Sequence, residues 1–228
     1  MAEAKGKPYC LTKKIYEKMS ICSCPIATAL PTIPSVSCAQ DFGQIQKIAF
    51  QRIHSSGSTL NSFKTGDKTA IEKKAAWEPL IEASDGTKIS VTPYVEAPTA
   101  DGGDAITFGG GNETLGGVTK NIGRNPVSMT FALRQYPQEV IKALKEIQCE
   151  TDLGVFFFNG DGQILAKQDP DTPTTYYPIP IQSLFVGDLL LNGLETPDSN
   201  TLTFSLAPNY SDTVAIVTPD DFNPLTDL

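Results

Sequence analysis

The chain has 228 residues, of which 40% are hydrophobic and 19% charged, a composition typical of a globular protein and unlike that of a disordered one. Its net charge of -8 argues against a surface that neutralises nucleic-acid phosphates, because that task needs clustered Lys and Arg. No apolar run approaches the roughly 20 residues of a membrane-spanning helix. We therefore expect one main domain, no membrane association and, since the N-terminus lacks the pattern of a secretory signal, synthesis in a cytoplasm.

Residues 1–40 mix Lys, Cys, Pro and Ser with only short apolar pieces. Pro25, Pro31 and Pro34 lack a backbone donor and prevent a long helix. The segment is predicted to be an extended N-terminal arm or small subdomain. Residues 41–228 are predicted to form the β-sandwich or barrel that carries assembly.

The chain has five cysteines, an odd number. Four of them lie in this N-terminal segment, Cys10, Cys22, Cys24 and Cys38, and the fifth is Cys149. Cys22 and Cys24 lack the two-residue spacer of a typical zinc-binding pair, and no histidine is nearby. Reduced thiols are favoured over a zinc site, and the role and redox state of the cluster stay open.

Segments with strand-like alternation or short apolar runs recur along the chain and are separated by Gly, Pro, Asn and Asp turns. The predicted strands are residues 44–53, 87–95, 127–133, 153–158, 163–166, 179–185, 201–206 and 213–217. The turn from Asn159 to Gly162 tolerates positive φ and predicts a tight antiparallel hairpin.

Two helices are predicted between these strands. A short one is capped by Asp67, spans residues 69–77, and is limited or restarted by Pro79. The second follows Pro137 and is amphipathic, with an apolar stripe of Val140, Ala143, Leu144 and Ile147. Many strands with one good helix indicate a mainly β fold, a β-sandwich or barrel with one flanking amphipathic helix.

Glycine is densest between residues 98 and 117, which predicts a long loop or a weakly twisted hairpin. Long loops in compact domains are frequently functional, and contact with another subunit is the function available here. The candidate interface residues are Gly109, Gly110, Gly111, Asn112, Glu113 and Thr114.

Residues suited to catalysis or cofactor binding are few. His54 is the only histidine, and it precedes a Ser/Gly turn with no identifiable partner, which favours a surface or hydrogen-bonded role. Asp169 with Asp171 and Asp220 with Asp221 lie in turns and do not face each other across a cleft as glycosidase carboxylates must. The glycine segment lacks the Lys and Ser or Thr that complete a phosphate-binding loop. We expect no enzyme, no catalytic residue, no metal and no cofactor.

The aromatic residues favour a role in packing the core, and the alternative role is ligand binding. Residues 156–158 are three consecutive phenylalanines, which predicts a strand buried on both faces or covered by another subunit. Trp77 is expected to anchor the short helix to a sheet. The alternative is a glycan- or peptide-binding module that uses Trp77, Tyr176 and Tyr177 as contacts.

Charge is distributed unevenly along the chain. Residues 1–75 carry 11 Lys and Arg against 5 Asp and Glu, a net charge of +6, and residues 150–228 carry 1 against 12, a net charge of -11. Opposite ends of the chain could attract when copies meet head to tail, or both could be ordinary solvated surfaces.

Several of these segments resemble, in order and character, the tail tube proteins of long-tailed bacteriophages. They span about residues 41–165 and comprise residues 41–48, the stretch from Trp77 to Pro93, residues 109–114, and the amphipathic helix with the strand and turn to Gly160. None of them is a catalytic signature. Residues 1–40 depart from a minimal tube subunit, which leaves their role open.

The resemblance implies a β-sandwich or barrel with a helix, in a virion structural protein of the tail. Such proteins form rings, often hexameric, that stack head to tail into a conduit through which DNA passes without specific binding. Other tail or neck proteins would be further partners. Alternatives of the same class are a neck, tail-terminator or capsid-decorating protein. An acidic subunit suits such a conduit because repulsion keeps phosphates off the wall.

Overall fold

The structure, a computed structural model, describes residues 32, 33, 35, 41–66 and 70–228. These residues form two compact units. Gly103–Asn125 belong to the first unit, and residues 41–66, 70–102 and 126–228 belong to the second. The predicted arm of residues 1–40 lies almost entirely outside the described residues and stays a prediction.

The prediction of a mainly β chain is confirmed. The strands are β1 Ile45–Arg52, β2 His54–Ser56, β3 Thr59–Leu60, β4 Phe63–Lys64, β5 Ile89–Val91, β6 Glu96–Gly102, β7 Ala105–Gly109, β8 Thr119–Arg124, β9 Val127–Arg134, β10 Leu153–Asn159, β11 Ile164–Gln168, β12 Thr175–Tyr177, β13 Ile179–Val186, β14 Ser199–Leu206 and β15 Val214–Val217. The α-helices are α1 Lys74–Ile81, α2 Gln138–Ile147 and α3 Pro224–Asp227. Within the described part of the chain, no helix is long and apolar enough to cross a bilayer.

The second unit is built on one curled antiparallel sheet of eleven strands, consistent with the predicted sandwich or barrel. Its strand order is β4-β12-β11-β10-β13-β14-β9-β6, with β1 pairing with β10 and β5, and β15 pairing with β11. β9 and β14 pair in unbroken register from Val127 opposite Leu206 to Arg134 opposite Ser199. β6 is the edge strand next to β9, and its residues are mostly exposed.

Strand β10 lies at the centre because each of its residues is buried. Successive side chains of a strand point to opposite faces, so Phe157 contributes to one apolar cluster with Phe50 of β1, while Phe156 and Phe158 contribute to the other. Phe157 is only 1% exposed. The structure thus decides between the two predictions for the phenylalanine triplet: the chain itself buries both faces.

The hairpin from β10 to β11 is confirmed, with Phe158 opposite Ile164. Its turn depends on Asn159, whose buried side-chain carbonyl accepts hydrogen bonds from the backbone N–H groups of Asp161 (3.1 Å) and Gln163 (2.7 Å). The Asn159 amide also donates to the Phe42 carbonyl oxygen at 2.5 Å. One buried side chain therefore fixes both the turn and the segment that leads into β1.

Both predicted helices form, with corrections to each. Helix α1 starts at Lys74 with Lys73 at its N-cap, so the predicted cap at Asp67 and the predicted start at residue 69 are wrong. The helix continues two residues past Pro79, so Pro79 does not end it. Burial of Ala76 and Trp77 stabilises the helix despite the missing proline donor, since tertiary packing contributes most of the stability of short helices.

Helix α2 begins directly after Pro137, which occupies the N-cap and not the first helical position. Ile141 and Leu144 are its buried residues, whereas Ala143, predicted to belong to the apolar stripe, is exposed. Val140 and Ile147 pack on the same cluster and are partly buried. The helix therefore covers one side of the sheet, rotated slightly from its predicted orientation.

Candidate subunit interface

The candidate interface residues Gly109 to Thr114 lie at the tip of a two-stranded hairpin, residues 105–124, in the first unit. Its strands β7 and β8 pair with each other and with no other described strand. The tip is a defined turn: the Thr114 hydroxyl donates to the Val118 carbonyl oxygen at 2.6 Å and accepts from the Gly110 N–H at 3.3 Å. Gly109 has φ +95°, and a Cβ there would lie 2.4 Å from the Thr114 methyl carbon, so only glycine fits.

The hairpin exposes an unusual number of large apolar side chains: Ile106, Phe108, Leu115, Val118 and Ile122. Phe108 is 53% exposed and lies opposite Lys120 in the register. Ile106 lies on the same face, over Gly123, where an added Cβ would come within 3.1 Å of its side chain. An isolated two-stranded hairpin is marginally stable in water. A partner that covered these side chains would stabilise it.

A second exposed apolar segment, which sequence reasoning missed, connects β13 to β14. This leucine loop, residues 187–198, exposes Leu189, Leu190, Leu191 and Leu194, and Phe185 of β13 precedes it. Leu191 is 79% exposed. The signal was present as a run of leucines in a segment otherwise rich in Gly, Asn, Pro and Asp. Contiguous exposed apolar residues mark interaction sites more often than scattered ones do.

His54 has a partner that the sequence did not reveal. Its Nδ1 lies 3.0 Å from both carboxylate oxygens of Asp152, and its backbone N–H donates to the same carboxylate at 2.9 Å. Beside it, Arg52 makes a two-point contact with Glu150, with Nε–Oε2 and Nη2–Oε1 distances of 3.0 and 2.6 Å. This contact lowers the pKa of Glu150. Both pairs join the end of β1 and the start of β2 to the segment that leads into β10.

The paired carboxylates have structural contacts. Asp169 accepts hydrogen bonds from the backbone N–H of Asp171 at 2.9 Å and from the Tyr177 hydroxyl at 3.2 Å. Asp220 forms an ion pair with Lys73 at 3.0 Å. Asp221 accepts from the backbone N–H of Lys74 at 2.9 Å. These carboxylates hold turns and the N-terminal end of α1.

No group of three or more His, Cys, Asp and Glu residues able to hold a metal ion occurs among the residues the structure describes. Cys10, Cys22, Cys24 and Cys38 lie outside the described residues, so the prediction about them stays a prediction. Cys149 is described, and its thiol is free and exposed.

The aromatic contacts of the alternative glycan-binding function are mostly buried. Trp77 has 0% exposure, stacks on Phe63 at 4.6 Å between ring centroids, and donates its indole N–H to the Ile71 carbonyl oxygen at 2.9 Å. Its predicted role as an anchor between helix and sheet is confirmed, and a role as an exposed ligand platform is wrong. Tyr176 is also buried, while Tyr177 is partly buried, which raises its pKa.

Comparison of the chain with protein-family models, with curated protein sequences and with solved structures found no match. The assignment of a function therefore depends on the side chains and surfaces described above. Among them, the hairpin and the leucine loop are the surfaces whose exposed side chains favour contact with another molecule.

Proposed function

We propose that the chain is a structural protein of a bacteriophage virion, a tail tube subunit that assembles with copies of itself. The observation that carries the proposal is the hairpin of residues 105–124, whose five large apolar side chains are exposed in the single chain. The resemblance of residues 41–165 to tail tube proteins includes Gly109 to Thr114, the tip of this same hairpin.

The physical case for self-association starts from the hairpin's surface. Roughly half of the Phe108 side chain is exposed, on the order of 100 Å² for a phenylalanine. Burial of that area in a subunit contact would contribute about 2.5 kcal/mol at 25 cal/mol per Å², or roughly 60-fold in affinity. The outer edges of β7 and β8 carry unpaired backbone groups that another strand could bond.

Tube formation requires a contact between two different surfaces of the subunit. Such a heterologous contact, repeated with an axial offset, generates an open filament, whereas a two-fold contact generates only a dimer. In the proposed tail, rings of subunits, often hexameric, stack into a conduit for DNA. The net charge of -8 supports passage without binding, because an acidic wall repels phosphates. The subunits would be made in the host cytoplasm and would also contact other tail or neck proteins.

Negative-stain electron microscopy of the purified chain tests the proposal. We expect rings that stack into tubes as the concentration rises. Closed rings that never stack would indicate a neck or tail-terminator protein instead. A chain that stays monomeric at high concentration in several buffers would contradict self-assembly.

A matched pair of variants links the outcome to the hairpin. Phe108→Ser removes an exposed apolar side chain from the hairpin, and Leu60→Ser removes one from the second unit. Both positions are exposed, so neither change should unfold the subunit. We expect Phe108→Ser to shorten or abolish the tubes and Leu60→Ser to leave them unchanged. Equal effects would show that the hairpin has no special part in assembly.

A further inference from the structure

The leucine loop, residues 187–198, is acidic as well as apolar. Its charged residues are Asp188, Glu195 and Asp198, with no Lys or Arg among its twelve positions. Asp188 and Glu195 are exposed. Four exposed leucines therefore share the loop with three carboxylates, one of which, Asp188, forms an ion pair with Lys145. An apolar centre with a charged rim is the usual arrangement of a protein–protein contact.

The leucine loop is held in shape by its own hydrogen bonds. Leu190 and Ser199 exchange backbone hydrogen bonds of 2.8 and 3.2 Å, and the Asn192 N–H donates to the Asp198 carboxylate at 2.9 Å. The Asn192 side-chain amide donates to the Pro197 carbonyl oxygen at 2.9 Å. Because the loop is ordered before any contact, a partner would bind it with little cost in conformational entropy.

The hairpin, residues 105–124, carries a net charge of +1, with its positive charge on β8. Glu113 lies at the tip, β7 carries no charged residue, and β8 carries Lys120 and Arg124; all three charged side chains are exposed. Lys120 lies opposite Phe108 in the register, so a cation and an exposed aromatic ring occupy the same face of the ribbon. The β8 side of the hairpin thus combines apolar side chains with positive charge, and the leucine loop combines them with negative charge.

We propose that the hairpin of one copy docks on the leucine loop of a second copy. The complementarity in charge and the shared apolar character favour a second copy of this chain as the occupant. The contact joins two different surfaces, so after docking one copy still offers a free leucine loop and the other a free hairpin, and further copies can add until a ring closes or a filament grows. This inference rests on the proposed function and specifies the surfaces that would join its subunits.

Charge reversal tests the pairing. The first variant carries Lys120→Glu and Arg124→Glu on the hairpin; the second carries Asp188→Lys and Glu195→Lys on the leucine loop. In either variant alone the two surfaces repel, and we expect the concentration for half-maximal assembly, measured by sedimentation and microscopy, to rise about ten-fold or more. In an equimolar mixture each reversed surface meets a complementary one on the other variant, so assembly should return close to the wild-type concentration.

Two further variants control for other causes. Asp188 forms an exposed ion pair with Lys145 at 2.6 Å, so Lys145→Ala removes that pair without reversing the loop charge and should leave assembly unchanged. Leu191→Ser with Leu194→Ser removes apolar side chains that contribute no core contact and should weaken assembly. The fluorescence of Trp77, the only tryptophan, reports whether each variant is folded.

The outcomes separate the two proposals. A wild-type chain that forms no rings or tubes would contradict the proposed function itself. A wild-type chain that assembles while both reversal variants assemble equally well would contradict only the docking. A third result would overturn the second copy as the occupant: the mixture assembles no better than either variant alone, whereas a chain that carries all four reversals assembles better than either. That result would mean that the two surfaces meet within one chain. Full assembly of the Leu191 and Leu194 variant would contradict the docking too.

Discussion

Replacement of Phe157 by alanine tests whether the chain alone buries the phenylalanine triplet. Phe157 is 1% exposed, and its ring lies 6.1 Å from that of Phe204 and 6.5 Å from that of Phe131. A buried Phe→Ala change costs about 3–5 kcal/mol through lost transfer energy and the cavity left behind. Because total stabilities are typically about 5–15 kcal/mol, the variant should fold but with a much smaller margin.

Urea denaturation followed by Trp77 fluorescence measures this loss. Trp77 belongs to the other apolar cluster and contacts Phe156 and Phe158, so the substitution leaves the reporter's neighbours in place. With an m-value near the upper end of the usual 1–3 kcal/mol per M, the urea midpoint should fall by about 1–2 M with an unchanged slope. The matched control is Phe185→Ala, because Phe185 is 55% exposed on the same sheet and should cost less than about 1 kcal/mol.

Concentration distinguishes burial within the chain from burial by a neighbour. If the chain covers Phe157, the loss of stability is the same at every protein concentration. If a second subunit covered it, the loss would appear only where copies associate. A loss below about 1 kcal/mol at low concentration, equal to that of Phe185→Ala, would refute the account of the core.

Three further substitutions test local features. Asn159→Ala should lower the free energy of unfolding by about 1–3 kcal/mol, since the N–H groups of the turn lose their acceptor; an unchanged urea midpoint would contradict this role. Gly154→Ala should cost about 1–3 kcal/mol, because the new Cβ would lie 2.6 Å from the Pro178 Cβ; a neutral effect in thermal unfolding would mean that the strands move apart easily. Burial lowers the pKa of Lys47 below its usual 10.5, so the unfolded chain binds more protons at this site in the window beneath 10.5. The stability of the wild type relative to Lys47→Met should therefore rise with pH through that window, and a flat difference between their unfolding free energies would contradict burial of the charged amine.

The fold could be predicted where local patterns and burial agree. Alternation placed Met129, Phe131 and Leu133 on the buried face of β9, and the Asn-Gly and Asp-Gly pairs predicted the turn after β10. The sequence predicts the bounds of helix α1 less accurately, because Pro79 indicates a limit or a restart of the helix, whereas the burial of Trp77 keeps the helix intact past Pro79.

Contacts between distant residues could not be predicted from one sequence. His54 and Asp152 are separated by 98 positions, and only the antiparallel pairing of β1 with β10 brings their segments together. The leucine loop was missed for another reason: its apolar residues follow a strand and precede another, so they look like continuations of core segments. That they are exposed is a property of the folded chain.

Sedimentation velocity of the wild-type chain over a wide range of concentrations tests the central claim, that this subunit associates with copies of itself through the hairpin. The account predicts a shift from single subunits to rings and longer assemblies as concentration rises, and a shift to higher concentrations for Phe108→Ser. A single monomeric species at all concentrations, or identical behaviour of wild type and Phe108→Ser, would contradict it.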